Sequence, residues 1–427
     1  MGNQANGFRK PGRAKRLAAK FLVVAASVAF GLLLCEVALR VMGYTYPVFY
    51  EPDAARGYAL RPSVEGWYRK ENETYVRINS AGLRDREHEK AKPKGTLRIA
   101  VVGDSYAEAL QVAQEKAFWS IAERRLQECG AFDGRPVEFI NFGVSGYGTA
   151  QELITLRQKV WDYSPDIVLL AVTTNNDITD NSRALKKTDE IPYFVMRDGQ
   201  LTLDDSFRST PAFRLRESIL NRTGRWFRDH LRFIQAVHQA HGAIKSAIAS
   251  RRARNSEPPA QTASRPGTTA ATTEGRAVNT AAMQDELGID NMIYREPDDD
   301  VWRDAWTVTE HLITEMRDEV RSKGAKFLVV TLSSGIQVAP NPSVRAEFMQ
   351  RLGINDLFYP ERRIKALGDR EGFAVFNLAP ALQQYAEQRK VYLHGFGTNI
   401  GNGHWNEAGH AVAGEMIAGK LCEGMAN

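Results

Sequence analysis

The sequence lacks the features that would place it in several common classes of protein. Three cysteines in 427 residues are too few for a disulfide scaffold. We find no G-x-x-x-x-G-K-[ST] nucleotide loop and no cluster of His, Cys, Asp and Glu at metal-ligand spacing. The sequence therefore predicts neither a bound cofactor nor a metal.

An excess of positive charge is also missing from most of the chain. The formal charge is +5, but residues 1–20 hold six basic side chains and no acidic one. The remaining residues carry 50 basic against 51 acidic side chains, a net charge of −1. Because the basicity belongs to a tail and not to a folded surface, nucleic acid is not an expected partner.

A long apolar run follows this basic tail. Residues 21–35 carry no charge, and Leu17 to Leu39 supplies 23 residues where roughly 20 helical residues span a bilayer. Since Lys and Arg are enriched on the cytoplasmic side, we predict a cytoplasmic tail at 1–20 and a transmembrane helix at 21–43. The rival interpretation is a cleaved signal peptide, although no A-x-A site follows the run.

Strand and helix patterns alternate after a preface that is rich in turn residues. The preface, predicted to be β-rich, covers residues 44–95, and Leu97–Gly103 then has the continuous apolar character of a strand buried on both faces. Similar runs, separated by helical patterns, lie at 137–142, 166–172, 326–332 and 373–378. This alternation predicts an α/β domain at 96–424, with helices on both faces of a parallel sheet.

An insertion at 182–300 interrupts the alternation. It begins with a predicted hairpin that turns at Asp198-Gly199, followed by a helical stretch at 216–250. From Arg251 to Thr280 there is no aromatic residue, and Val278 stands alone among Val, Ile, Leu and Met. Since such a segment buries too little apolar surface to offset its ordering entropy, we predict disorder at about 251–285.

Polar and glycine-rich motifs follow the predicted strand ends. Ligands bind beyond the carboxyl ends of strands in an open parallel sheet, so Ser105, in a Gly-Asp-Ser motif, stands where a nucleophile would be placed. The second strand leads to Gly143 and the third to Asn176-Asp177. A backbone N–H or an Asn amide there can donate to developing negative charge, although turn formation also explains both motifs.

A histidine stands just ahead of the last predicted helix. His404 belongs to the sequence Gly-Asn-Gly-His-Trp-Asn at 401–406, in which Asn406 is a candidate helix N-cap. From this position His404 can reach the sheet edge that carries Ser105 and act as its general base. The four motifs thus fall, in order, on loops at one edge of the sheet.

This ordered set resembles the GDSL/SGNH hydrolase superfamily, which is named for its Ser, Gly, Asn and His blocks. The resemblance covers about residues 97–420. The apolar helix, the Asn-Ser-Ala-Gly-Leu-Arg-Asp motif at 79–85 and the Gly-His-Trp-Asn ending are similar to membrane-anchored bacterial members. The resemblance implies a flavodoxin-like three-layer α/β/α sandwich, the SGNH hydrolase fold, with strand order 2-1-3-4-5.

The resemblance also implies roles for individual residues. Ser105 would be the nucleophile and His404 the base. The oxyanion hole would consist of the backbone N–H groups of Ser105 and Gly143 and the side chain of Asn176. Asp104, next to the nucleophile, is expected to support the site.

The sequence departs from the family at the acid of the triad. The family usually has Asp three residues before its His, and here that position is Gly401, followed by Asn402. A carbonyl oxygen from either residue could accept from His404 Nδ1–H, which would give a Ser–His dyad of modest activity. The alternative is a catalytically silent glycan-binding or envelope assembly protein on the same fold.

The two cysteines outside the apolar helix also acquire an interpretation from the resemblance. Its topology puts the first and last helices of the domain on one face, so Cys129 and Cys422, each at a helix end, would meet in a disulfide. Taken without the resemblance, two separate buried thiols remain equally open.

The implied activity is that of a membrane-anchored serine esterase that acts through an acyl-enzyme. An acylated envelope polysaccharide or exopolysaccharide is the expected substrate class, and a sugar hydroxyl in place of water would make the protein an O-acyltransferase. The implied location is the bacterial inner membrane, with one span through 21–43, the N-terminus in the cytoplasm and the catalytic domain in the periplasm.

Overall fold

A computed structural model describes residues 13–132, 134–256 and 291–425. Its contacts divide the chain into two compact units. The first unit comprises Met1–Pro47 and Ile219–Thr268, and the second comprises Val48–Ser218 and Thr269–Asn427. All the motifs that the sequence marks as functional belong to the second unit.

The strands and helices are numbered here in chain order. The strands are β1 (Tyr50–Asp53), β2 (Gly57–Leu60), β3 (Glu65–Tyr68), β4 (Thr74–Arg77), β5 (Leu97–Gly103), β6 (Val137–Asn141), β7 (Ile167–Val172), β8 (Tyr193–Arg197), β9 (Gln200–Asp204), β10 (Lys326–Thr331) and β11 (Ala374–Asn377). The helices are α1 (Arg13–Val41), α2 (Ser105–Glu108), α3 (Phe118–Glu128), α4 (Thr149–Gln158), α5 (Asp177–Asp180), α6 (Arg183–Lys186), α7 (Pro211–Glu217), α8 (Ile219–His230), α9 (Arg232–Ser256), α10 (Asp300–Ser322), α11 (Pro342–Leu352), α12 (Tyr359–Glu371), α13 (Ala379–Arg389) and α14 (Glu407–Met425).

The first unit contains α1, α8 and α9. Within the part of the chain that the structure describes, α1 supplies one segment, Leu17–Val41, that is long and apolar enough to cross a membrane, with a mean hydropathy of 2.4. The helix begins at Arg13, before the predicted span, and so includes residues 13–20 of the predicted tail. Residues 1–12 lie outside the described residues.

The insertion is partly as predicted. The hairpin β8–β9 turns at Asp198 and Gly199, whose φ angles of 50° and 75° suit a two-residue turn. The predicted disorder is wrong for residues 251–256, because α9 continues to Ser256 through Arg and Ala, which have high helix propensity. The rest of that prediction, 257–285, lies outside the described residues.

A five-stranded parallel sheet forms the centre of the second unit. Its order is β6-β5-β7-β10-β11, which confirms the predicted order 2-1-3-4-5. All seven residues of β5 are buried, and they alternate between two cores. Ile99 and Val101 pack with α3 and α14, whereas Ala100 and Val102 pack with α4 and α10. Helices therefore cover both faces, as the predicted three-layer sandwich requires.

The preface forms two antiparallel hairpins, β1–β2 and β3–β4. Its small core includes Leu60 and Val76, and it also contains Leu110, Val144 and Tyr147 from the loops that follow β5 and β6. The preface therefore packs directly on loops at the carboxyl edge of the sheet, where the site was predicted.

A disulfide joins the C-terminal end of α3 to the C-terminal end of α14, which are the first and last long helices of the second unit. Helices α3 and α14 lie on the same face, and Cys129 and Cys422 at their C-terminal ends are bonded, with their Cα atoms 6.3 Å apart. The family-derived pairing is thus the one that the structure contains. Cys35 is a free, exposed cysteine in α1.

Replacement of both Cys129 and Cys422 by serine is expected to lower the free energy of unfolding by about 2–5 kcal/mol, because the bridge closes a very long loop. Urea denaturation of the full-length protein measures this loss, with Cys35→Ser as the control. Alkylation of the denatured protein without reductant should modify Cys35 alone. Modification of three thiols under those conditions would contradict the bridge.

Candidate active site

The nucleophile candidate lies at the turn between β5 and α2. Strand β5 ends at Gly103, and the buried side chain of Asp104 caps the start of α2 by accepting the Tyr106 N–H at 3.0 Å. Ser105 is the first residue of α2, so its N–H has no acceptor within the helix. Ser105 as a whole residue is 8% exposed.

The structure brings His404 to this serine. The Nε2 atom of His404 lies 2.7 Å from Ser105 Oγ, which is hydrogen-bonding distance. The loop that carries His404 is held by its Gly403 carbonyl, which accepts from Tyr106 Oη at 3.2 Å and lies 2.7 Å from His394 Nδ1. Since Tyr106 follows the nucleophile directly, the same contacts position both sides of the pair.

A carboxylate that the sequence did not indicate lies on the other side of the imidazole. Glu71, in the loop between β3 and β4 of the preface, has its Oε1 and Oε2 atoms 2.7 Å and 2.9 Å from His404 Nδ1. An ionised carboxylate only accepts hydrogen bonds, so Nδ1 is the protonated nitrogen. Nε2 is then free to accept the proton of Ser105, as a general base must.

Asn402 and Gly401 do not have the role that the sequence suggested for them. The partner of His404 Nδ1 is Glu71, not the side chain of Asn402 or the carbonyl of Gly401. Gly401 has a φ of 95°, a conformation that side chains other than glycine rarely adopt. The backbone at this position therefore disfavours the Asp that the family usually carries there.

Asn176 and Asp104 lie together beside the nucleophile. Asn176 Nδ2 donates to Asp104 Oδ2 at 3.1 Å, and Asp104 Oδ1 accepts from Thr173 Oγ1 at 2.8 Å. One N–H of the Asn176 amide is engaged by this contact, and its second N–H is available to a substrate. Asp104 therefore holds the start of α2 and the loop after β7 in one arrangement.

The glycine-rich loop after β6 offers its amide groups unequally. Gly143 N–H donates to the Asn141 side chain at 2.9 Å. Ser145 N–H donates to Glu108 at 2.7 Å. Gly146 N–H has no acceptor among the described residues, and the φ of Gly146 is 78°. Gly143 thus lies in the predicted loop, with its N–H occupied.

Two fully buried carboxyl groups, Glu152 and Asp177, interact electrostatically with Asp104. Burial, and then the charges of nearby carboxylates, raise the pKa of both Glu152 and Asp177 well above the ordinary range. Asp177 accepts the Thr173 N–H at 2.7 Å, so it fixes the turn that presents Asn176. Burial also raises the pKa of Glu361 to about 7, against hydrogen bonds from Gln337 and Thr174 that lower it.

Glu361→Gln is expected to stabilise the protein at pH 8 and to have little effect at pH 5. Folding raises the pKa of this carboxyl from 4.5 to about 7. The free energy of unfolding of the protein therefore falls as the pH rises from the lower of these pKa values to the higher. That difference corresponds to on the order of 3 kcal/mol. Urea denaturation at both pH values checks the prediction, with the exposed Glu296→Gln as control. Equal stability of the Glu361→Gln variant and the unchanged protein at pH 8 would contradict it.

A cavity in the second unit lies apart from this site. A cavity of about 580 Å³ lies between Leu97, Ile167 and Lys326, at the amino ends of the sheet strands and thus at the opposite edge from Ser105. Among the residues that the structure describes, no group of three or more His, Cys, Asp or Glu is arranged to hold a metal ion.

Comparison with known proteins gives matches to solved structures at low sequence identity. No protein-family model and no curated protein matches the chain. An acetyl xylan esterase, AlAXEase, matches with 12% identity and a TM-score of 0.35, over 76% of this chain and 100% of its own. An α/β hydrolase enzyme from the metagenome of Lake Arreo, Spain, matches with 12% identity and a TM-score of 0.34, over 78% of this chain and 96% of its own. The lipase/acylhydrolase from Enterococcus faecalis matches with 12% identity and a TM-score of 0.33, over 77% of this chain and 96% of its own.

The sheet order is that of a flavodoxin-like three-layer α/β/α sandwich, the fold that the resemblance to the SGNH hydrolases implied. The predicted motifs lie at the carboxyl edge of this sheet, where Ser105 meets His404 and Asp104 meets Asn176. The hairpin loop of the preface contributes to the same edge, because it brings the carboxylate of Glu71 to the histidine.

Proposed function

We propose that this protein is a membrane-anchored serine esterase of the SGNH type. The observation that carries the proposal is the 2.7 Å contact between Ser105 Oγ and His404 Nε2 at the carboxyl edge of the sheet. A nucleophile paired with an oriented base is the arrangement required for acyl transfer through a covalent intermediate.

The reaction follows from the positions of these atoms. Ser105 Oγ attacks the ester carbonyl carbon while its proton passes to His404 Nε2, and a tetrahedral oxyanion forms. His404 then returns the proton to the departing alcohol, which leaves Ser105 acylated. Water then attacks this acyl group as its proton passes to His404, and collapse of the second tetrahedral oxyanion returns that proton to Ser105 Oγ and releases the acid. If a sugar hydroxyl attacks in place of water, the same steps transfer the acyl group.

The oxyanion would be held by donors around Ser105. Its own N–H and the second N–H of Asn176 are both available, and each such donor is typically worth about 10²–10³ in rate. Gly143 would contribute only after its N–H leaves Asn141, whereas the N–H of Gly146 has no competing acceptor. We therefore propose Ser105 and Asn176 as the main donors, with a backbone N–H of the 143–146 loop as the third.

The substrate class follows from the location that we propose for the site. If α1 spans the bacterial inner membrane, with the basic N-terminus in the cytoplasm, the site lies in the periplasm. We propose acylated envelope polysaccharide or exopolysaccharide as the substrate class, because a site in that compartment faces the cell envelope. The nearly neutral charge of residues 21–427 also suits an uncharged acylated glycan better than a polyanion.

A silent glycan-binding or assembly protein is the second candidate. The sequence suggested it because the usual Asp before the histidine is missing. Glu71 removes that reason, since it provides His404 with a carboxylate at hydrogen-bonding distance.

Labelling with a fluorophosphonate probe tests for an activated nucleophile. We expect the full-length protein in detergent to be labelled, and Ser105→Ala to abolish the label. The control is Ser322→Ala, at the C-terminal end of α10 and the opposite edge of the sheet, which should label like the unchanged protein. Absence of Ser105-dependent labelling would favour the silent protein. Release of acetate from envelope polysaccharide then tests the substrate class.

A further inference from the structure

We infer that Glu71 is the acid of the catalytic triad, supplied by the preface and not by the loop that carries the histidine. The inference rests on the proposed esterase function. Both carboxylate oxygens of Glu71 lie within 2.9 Å of His404 Nδ1, and Oε2 is also 3.4 Å from the His404 backbone N. Glu71 contacts the base and not the substrate, so it is a positioning residue.

The loop that carries Glu71 is fixed to the nucleophile's side of the site. The carbonyl of Gln111, which follows α2, accepts from Asn72 Nδ2 at 2.9 Å and from Thr74 Oγ1 at 3.0 Å. The Gln111 side chain donates to Glu71 Oε1 at 3.4 Å. The β3–β4 loop therefore has three ties to the segment after Ser105.

The histidine loop leaves room for this carboxylate. A Cβ at Gly403 would lie 3.1 Å from Glu71 Oε2, and the φ of Gly403 is 81°. Glycine directly before His404 thus allows the carboxylate to approach the imidazole from the preface. Asp104, the acid nearest in sequence to Ser105, is occupied by Thr173, Tyr106 and Asn176.

The charge state of Glu71 suits this role. Burial alone would raise its pKa, but the hydrogen bonds and charge of His404, with a contribution from Gln111, hold the pKa below its ordinary value. Glu71 therefore stays ionised at neutral pH. Its contribution is present above the ordinary carboxyl pKa and is lost only as the pH falls through the lowered value.

The test compares three variants of the full-length protein. Glu71→Gln should lower kcat by about 10³–10⁴ with little change in KM, because the amide disrupts the Nδ1–H tautomer and leaves the imidazolium without a counter-ion. The acid limb of its kcat/KM profile should move to lower pH. Glu71→Asp keeps the charge and should recover part of the rate, with the acid limb nearer its original position. Glu73→Gln, in the same loop and paired with Arg69, should match the unchanged protein.

The possible results separate this inference from the proposed function. Labelling that depends on Ser105, together with an unaltered kcat in Glu71→Gln, would overturn the role of Glu71 and leave the esterase standing. A lowered kcat with an unmoved acid limb and no recovery in Glu71→Asp would reduce Glu71 to a structural part of the loop. Absence of Ser105-dependent labelling in the unchanged protein would instead remove the function itself.

A second inference concerns the first unit and rests on different observations. We propose that α8 lies on the surface of the lipid bilayer, with its apolar side in the acyl-chain boundary. The break between α8 and α9 is attached to the C-terminal part of α1. Arg40 Nη2 donates to the His230 carbonyl at 2.6 Å, and Phe233 N–H donates to Glu36 at 3.0 Å. The C-terminal end of α8 thus contacts α1 at the C-terminal end of the apolar span of α1.

Helix α8 has two contrasting sides. Its large apolar residues recur at helical spacing and are 44–79% exposed; they are Ile219, Leu220, Trp226 and Phe227. At 100° per residue these lie within one side, and Asn221, Arg225 and Arg228 lie on the other. A basic amphipathic helix with Trp and Phe on its apolar side is typical of a membrane-surface helix.

A lipid bilayer can contact both the apolar side and the basic side of α8. The apolar residues of α1 are also exposed within this unit, so a bilayer that covers α1 would continue onto the apolar side of α8. The arginines would face anionic headgroups, and Trp226 would lie at the interface, where Trp is enriched. This arrangement would hold the first unit against the membrane at more than the single span.

Photo-crosslinking tests this placement in the full-length protein. The photoreactive residue benzoylphenylalanine replaces either Phe227 or Asn221, and each protein is reconstituted in phosphatidylcholine vesicles with or without phosphatidylglycerol. We expect about tenfold more lipid adduct at 227 than at 221, with a higher yield when the anionic lipid is present. Equal yields at both positions, or adducts at 227 only with a second protein chain, would overturn the proposal.

Discussion

Ser105→Ala is expected to lower kcat for a simple ester such as p-nitrophenyl acetate by about 10⁵–10⁶. In the proposed mechanism the variant lacks the atom that forms the acyl-enzyme and keeps only substrate binding and the oxyanion donors. Among the described residues, His404 is the one side-chain partner of Ser105 Oγ, so the fold should be kept. A thermal melt close to that of the unchanged protein would confirm that the loss is chemical.

Ser322→Ala is again the matched control for this measurement, since it removes one hydroxyl at the far edge of the sheet. Its kcat should be within about twofold of the unchanged value, as is usual for a surface substitution. A Ser105→Ala variant that kept a tenth of the activity would contradict acyl transfer through this serine.

His404→Ala is expected to cost almost as much as Ser105→Ala, and the two losses should not add. Without Nε2 at 2.7 Å, the serine hydroxyl has no base to take its proton. Because nucleophile and base act as one unit, the double variant should be about as slow as either single variant. Steady-state kinetics on the three proteins measures this.

A control histidine is available on α10. His311 is exposed, and its Nδ1 lies 2.8 Å from the Thr307 carbonyl of its own helix. His311→Ala should leave kcat within about twofold. Losses that multiplied in the double variant would mean that Ser105 and His404 act independently, contrary to the pairing in the structure.

The sequence predicted those parts of the site that are set by local pattern. A buried strand followed by a polar turn places its side chains at the carboxyl edge of a parallel sheet, wherever the strand lies in the order. Ser105, Asn176 and His404 could therefore be found from the residues around them. Their order along the chain then made the family resemblance recognisable, and with it the strand order and the pairing of Cys129 with Cys422.

The family resemblance implied the Gly143 N–H as a donor to the oxyanion, but in the structure that N–H is engaged and the N–H of Gly146 has no acceptor among the described residues. Without the resemblance the two are equivalent as sequence signals, since both are glycines after the second strand. The engagement of Gly143 N–H depends on the rotamer of Asn141, whose amide is itself held by the carbonyls of Arg84 and Ala107. Such a chain of contacts between preface, nucleophile helix and strand has no local pattern.

What the sequence determined by itself was an apolar helix near the N-terminus, a parallel α/β domain, and a serine and a histidine at the carboxyl edge of its sheet. The tertiary structure alone decided where the acid comes from. Glu71 is 333 residues away from His404 and belongs to a hairpin loop with no motif of its own. Only the packing of the preface on the sheet edge brings the two side chains together, because contacts between distant segments leave no periodicity in the chain.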